Sequence, residues 1–208
     1  MREPLPNIMK KILLLILITF LSCKTDKNEL PAEFEKTSGF QIDFLKREIK
    51  LPDNYEKTTF EEILDFIKKR EKNDKLIQSA HRKNILLQNY GHEFEVFADE
   101  NNYLNTITFM SGEYIKLDKN VLNSYVEVLE NQISTQSTEY DIQNEIIERQ
   151  LLTYGKAKVI KIKFQQTSDD NIKFMTQYLI TLGINTFSIA IVNNENTDYQ
   201  FILENFRS

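Results

Sequence analysis

The chain has 208 residues, a formal net charge of −5, 41% hydrophobic residues, one cysteine, two histidines and five glycines. That length and apolar content suit one folded domain with a core of ordinary size. The acidic balance argues against nucleic acid as a partner, because phosphate binding needs clustered cations, and against binding of anionic lipid through the domain itself. A lone cysteine excludes disulfides within the chain and a zinc site of the cysteine type.

Lys10 and Lys11 precede an apolar run, Ile12 to Leu21, which ends at Ser22 and Cys23. Basic start, apolar stretch and small residue are the three parts of a signal peptide. The run is too short to cross a membrane, which takes roughly 20 apolar residues. Arg2-Glu3-Pro4-Leu5-Pro6 is a poor start for such a signal, and Met9 is expected to be the true initiator. Phe20-Leu21-Ser22-Cys23 resembles the lipobox of bacterial lipoproteins, with Phe20 where an aliphatic residue is usual. The resemblance implies cleavage before Cys23, a diacylglycerol on its thiol and acylation of the new amine with a fatty acid such as palmitate. Each buried CH₂ contributes about 0.8 kcal/mol, and stable attachment takes more than one chain. Lys24, rather than aspartate, follows Cys23. By resemblance to lipoprotein sorting in two-membrane bacteria, this favours the outer over the inner membrane. The expected organisation is a signal over 1–22, a flexible polar tether containing Pro31 over 23–38, and one globular domain over 39–208.

Phe40, Ile42 and Phe44 alternate with polar residues and predict a strand. Ile49 and Leu51 lead into a turn at Pro52-Asp53-Asn54. Thr58 or Thr59 caps a helix whose apolar face is Phe60, Ile63, Leu64 and Ile67, with Glu61 and Glu62 at capping-box spacing. A second helix is expected over Asp74 to Tyr90, stopped by Gly91. His92 to Ala98 and Tyr103 to Met110 predict a hairpin. Asp118 caps a helix carrying Leu122, Tyr125, Leu129 and Ile133, followed by a polar loop from Ser134 to Thr138. Glu145 to Thr153 and Ala157 to Gln166 read as strands joined at Tyr154-Gly155-Lys156. Ile160, Ile162 and Phe164 share one face there, with Lys161 and Lys163 outward. Lys173 to Thr181 and Thr186 to Val192 form another hairpin, the second strand buried on both faces. Thr197 caps a last helix with Tyr199, Ile202, Leu203 and Phe206 on its apolar side.

Short turns between successive strands imply an antiparallel sheet, and the helices must cover it, which is an α+β domain. The early strand ending in Lys50-Leu51-Pro52, the central hairpin and helix, the Gly155-Lys156-Ala157 turn, and Phe174 to Ile180 followed by Phe187 to Val192 resemble the PsbP-like family. That family is named for an extrinsic subunit of photosystem II and includes bacterial lipoproteins. The resemblance spans Gly39 to Ser208 and implies an α/β/α sandwich around a mainly antiparallel sheet. It also implies a role in binding or supporting other proteins, with no shared catalytic residues. The stretch Asp74 to Tyr90 is additional to the family pattern.

No residue pattern marks an active site. His92-Glu93-Phe94-Glu95 lacks the two histidines at helical spacing of a zinc protease and reads as a solvated strand edge, while His81 sits beside Arg82 and Lys83 on a polar helix face. There is no G-x-S-x-G, and five glycines leave no phosphate-cradling loop. Glu61, Glu62, Asp65 and Glu71 occupy exposed helix faces. Asp169-Asp170-Asn171 is a turn without a calcium loop. Lys156, Lys158, Lys161 and Lys163 form the one cationic cluster. In it, Lys161 and Lys163 are the candidate partner-binding pair; the alternative is an edge protected against aggregation. No catalytic residue, metal ligand or cofactor is assigned. The expected function is a lipid-anchored envelope lipoprotein whose non-enzymatic domain binds or supports an envelope protein. An envelope hydrolase, a small-ligand binder and an immunity-type lipoprotein that binds a toxin remain open.

Overall fold

Two glycine-led turns organise the far half of the chain. Gly155 and Gly183 have φ of 54° and 63°, and neither Lys156 nor Ile184 after them is positive. Glycine first at positive φ is the type II′ pattern, whose twist matches that of paired strands. The structure is a computed structural model and describes residues 36–70, 91–140, 143–168 and 171–207. β1 (Thr37–Ile42) and β2 (Arg47–Pro52) pair as a hairpin of their own. β3 (Tyr55–Thr58), β4 (Phe94–Asp99), β5 (Asn102–Gly112), β6 (Gln143–Tyr154), β7 (Ala157–Ser168), β8 (Asn171–Leu182) and β9 (Asn185–Asn193) form a seven-stranded sheet. Its order is β3-β4-β5-β9-β8-β7-β6, antiparallel at every pairing. α1 (Phe60–Arg70) follows β3, α2 (Lys119–Tyr140) lies between β5 and β6, and a 3-10 helix spans Gln200–Phe206.

Strand alternation sends two sets of side chains to opposite faces. One face presents Phe97, Ile107, Phe109, Tyr178, Phe187, Ile189 and Ile191. The hairpin covers it with Ile42, Ile49 and Leu51, and the 3-10 helix with Ile202, Leu203 and Phe206. On the other face, α2 and the residues before it seat Leu117, Val126 and Leu129 on Ile160 and Ile162. α1 sets Phe60 against Phe94, ring centroids 5.0 Å apart. Most of the described chain is antiparallel sheet with few helices, which is the α+β class expected.

The capping box ahead of α1 is present. Thr59 Oγ1 accepts from the Glu62 amide at 3.2 Å, and Glu62 Oε2 accepts from the Thr59 amide at 3.0 Å. Thr58 also donates its hydroxyl to Glu62 Oε2. These bonds, the Thr58 hydroxyl first, hold the Glu62 carboxyl below its ordinary range. A depressed carboxyl stabilises the fold above its unfolded pKa, and that contribution disappears as pH falls through the lowered folded value. Thr59→Ala removes the N-cap hydroxyl, which should cost about 1 kcal/mol at neutral pH. The difference from the parent should narrow in acid, as read by urea denaturation at several pH values. An unchanged midpoint at pH 7 would show the box to be idle.

Several expectations are corrected. The stretch from Ser134 to Thr138 is not a loop but the continuation of α2; it contains no glycine or proline to stop a helix. The first strand begins at Thr37, so two residues assigned to the tether belong to the hairpin. Tyr55–Thr58 is a strand, too short and polar to announce itself, and its pairing with β4 defines it. The last helix is 3-10, and no side chain caps it at its N-cap Tyr199. The Thr197 backbone instead serves Lys163. The helix expected over Asp74 to Tyr90 lies outside the described residues.

Candidate functional site

Lys161 and Lys163 do not face outward. They are 3% and 6% exposed. The expected alternation holds, but their face is the one roofed by the segment leading into the 3-10 helix. Lys161 Nζ reaches Glu148 Oε1 at 2.9 Å, Gln200 Oε1 at 3.2 Å and Asp198 Oδ1 at 3.5 Å. Gln200 Nε2 donates in turn to the Tyr154 hydroxyl at 2.6 Å. Lys163 Nζ donates to the Thr197 carbonyl at 3.3 Å and lies 5.7 Å from the Phe174 ring centroid. The two ammonium groups thus fasten the chain after β9 across β6 and β7, a structural use of buried charge.

Burial pulls the Lys163 ammonium below the usual lysine range; Asp198 opposes this and Lys161 adds to it. A lysine with a depressed folded pKa binds its proton less well when folded. Its penalty is full below the folded pKa and is relieved as pH rises toward the unfolded value of about 10.4. Lys163→Met should remove the part of the alkaline rise that the parent owes to this group, while the Thr197 carbonyl loses its donor. Thermal unfolding of both chains from about pH 7 to about pH 10.5 reads it; an alkaline rise equal in the two chains would refute it.

Glu95, expected on a solvated edge, is also buried. It accepts from the Asp43 amide at 2.6 Å and pairs with Lys57 Nζ at 2.6 Å. It therefore ties the β1–β2 turn to the sheet. His92 is half-buried ahead of β4. Cys23, His81 and the Asp169-Asp170 turn lie outside the described residues. Glu61, Glu62 and Asp65 sit on the exposed face of α1 as expected. Among the described residues no group of histidine, cysteine or carboxylate side chains is placed to hold a metal, and no helix is long and apolar enough to cross a membrane.

The remaining two lysines of the cluster lead to a cleft of about 530 Å³ at the end of the sheet. Lys156 comes from the β6–β7 turn and Lys158 from the start of β7. Arg47 opens β2, and Tyr114, Lys116 and Leu117 come from the link between β5 and α2. Thr181, Leu182 and Gly183 close the wall at the end of β8. Among the described residues, four cations and no carboxylate line this cleft, in a chain whose net charge is negative.

The walls are held in place. Arg47 Nη1 donates to the Asn205 carbonyl at 2.7 Å, and its guanidinium lies 6.0 Å from the Phe206 ring centroid. Lys158 Nζ donates to Thr153 Oγ1 at 2.8 Å. Thr181 Oγ1 donates to the Ile115 carbonyl at 2.7 Å, and Thr186 Oγ1 accepts from the Ile115 amide at 3.0 Å, so the link is stitched to the base of the β8–β9 hairpin. Low-dielectric walls carrying one sign of charge concentrate counter-ions. The described lining offers ammonium, guanidinium and hydroxyl donors, which suit an anion. No sequence window could show this cleft, since its cations come from three separated segments; Lys156 and Lys158 are the only part visible in one window.

No family profile and no curated protein matches the chain. Among solved structures, the chain is similar to the solution structure of cyanobacterial PsbP (CyanoP) from Synechocystis sp. PCC 6803. The TM-score is 0.49 at 10% sequence identity, covering 81% of this chain and 86% of that one.

Proposed function

We propose that this chain is a lipid-anchored lipoprotein of the cell envelope, held at the outer membrane through acyl chains on Cys23. Its PsbP-like, non-enzymatic domain binds or supports another envelope component. The signal-like run ending at Cys23 supports the anchor, and Lys24 supports the outer membrane. The order of elements, with strands in hairpins and helices between them, supports the PsbP-like sandwich. One observation carries the binding role: a preorganised cleft lined by Arg47, Lys116, Lys156 and Lys158, with no carboxylate among its described walls. Such a cleft takes an anionic group presented by a partner.

The anchor is tested by the mass of the mature N-terminus and by Cys23→Ser, which should release the chain from the membrane fraction. An unmodified Met1 would remove the anchor. The cleft is tested by titrating the full chain with poly-glutamate and with inorganic phosphate, following the amide signals of Lys156, Lys158 and Gly183 by NMR. Salt-sensitive shifts that vanish in Lys156→Glu/Lys158→Glu are expected. Shifts spread over the surface, or unaffected by the charge reversals, would defeat the reading.

A further inference from the structure

Exposed apolar residues stand beside the cationic cleft. Ile184, at the apex of the β8–β9 turn, is 83% exposed, and Tyr114 is 58% exposed. Ile115 beside it is also among the exposed large apolar residues. These three residues belong to one end of the molecule. Gly112 pairs with Thr186 in the β5–β9 ladder, and Ile115 is bonded on both sides to Thr181 and Thr186, which flank the turn. A II′ turn needs glycine first but sets no apolar demand on its second residue, where a polar side chain would fit equally well. Ile184, Tyr114 and Ile115 together make an exposed apolar group beside the cations, and grouped rather than single exposed apolar residues mark an interaction surface.

Resting on the cleft as an anion site, we propose that its partner is the anionic surface of a lipid bilayer. The cations take lipid phosphates while Ile184, Ile115 and Tyr114 enter the interface. Two features favour a bilayer over an acidic protein segment. The charges and the apolar apex share one end of the sheet, so both can face the same surface. The residue mix, aliphatic tip, tyrosine and flanking lysines, is the one that suits the headgroup boundary. The anchor permits this. β1 begins at Thr37, which pairs with Pro52, while Arg47 pairs with Ile42 at the other end of the hairpin. The cleft lies roughly 17 Å from where the chain enters the fold. The stretch from Cys23 to Thr37 can span at most roughly 45–50 Å, so the cleft can reach the membrane that holds the anchor.

The chain contains no tryptophan, so Ile184→Trp makes a unique reporter at the apex. Ile172→Trp, exposed at the opposite end of β8, serves as control. The full lipidated chain is reconstituted in vesicles of phosphatidylcholine alone or mixed with phosphatidylglycerol, with and without brominated acyl chains. The expected result for the Ile184→Trp chain is a blue shift of indole emission and quenching by brominated chains on the anionic vesicles only, with the control unchanged. Each cation lost in Lys116→Gln, Lys156→Gln and Lys158→Gln should lower the ratio of docked to free clefts about five-fold. Response to poly-glutamate or inorganic phosphate but not to anionic vesicles overturns the bilayer as partner and leaves the cleft reading standing. Equal response on neutral vesicles also overturns it, since the cations would then be idle. Silence toward vesicles, poly-glutamate and phosphate alike overturns both.

Discussion

Phe206→Ala should lower the stability of the domain by about 3–5 kcal/mol, the range for removing a buried aromatic ring. Phe206 is 1% exposed, and its ring centroid lies 5.0 Å from that of Phe187. It is the last apolar residue of the 3-10 helix. The same ring carries the Arg47 guanidinium. The loss should therefore appear twice, as a lower urea midpoint and as weaker anion binding at the cleft, with the denaturant slope unchanged. Phe206→Leu, which restores much of the volume, should lose clearly less. If Phe206→Ala stays within about 1 kcal/mol of the parent, a large cavity has not been made, and the 3-10 helix does not close the core.

Gly155→Val should cost about 3 kcal/mol or more, from two separable sources. The left-handed backbone at φ 54° costs an L-residue roughly 1–2 kcal/mol, and a β-branched one sits there badly. The second source is contact: a Cβ at Gly155 would stand 1.9 Å from the Arg207 carbonyl oxygen, a backbone atom. Either the β6–β7 turn or the chain end must move, and with the turn goes Lys156 of the cleft. The sources separate in a chain ending at Phe206, where Gly155→Val should keep only the backbone cost. An equal loss in both chains would show that Arg207 yields freely. Gly183, with a similar φ and nothing near its missing Cβ, gives the backbone cost alone for comparison.

The hairpins and the first helix are legible because their signals are local. Gly155-Lys156 and Gly183-Ile184 mark turns by backbone need, and Thr59 with Glu62 marks a helix start by spacing. The buried fate of Lys161, Lys163 and Glu95 is not legible. Alternation says which residues share a face; it does not say what lies over that face. Lys161 becomes internal only because Asp198 and Gln200, far along the chain, come to rest above it. The cleft is hidden for the same reason, since Lys116 and Arg47 have no sequence relation to Lys156. The length of α2 escapes for the opposite cause. Serine and threonine lower helix propensity by only a few tenths of a kcal/mol each, too little to end a helix.

By itself the sequence determined the acidic balance, the absence of internal disulfides, the α+β class and most strand and helix positions. These rest on composition and on periods of two or 3.6 residues, which neighbours along the chain decide. The tertiary structure alone decided which lysines are fasteners and which line a cleft. A charge's role depends on what shields it and what stands within a few ångströms, and the strand order β5-β9-β8-β7-β6 brings those groups together from across the chain.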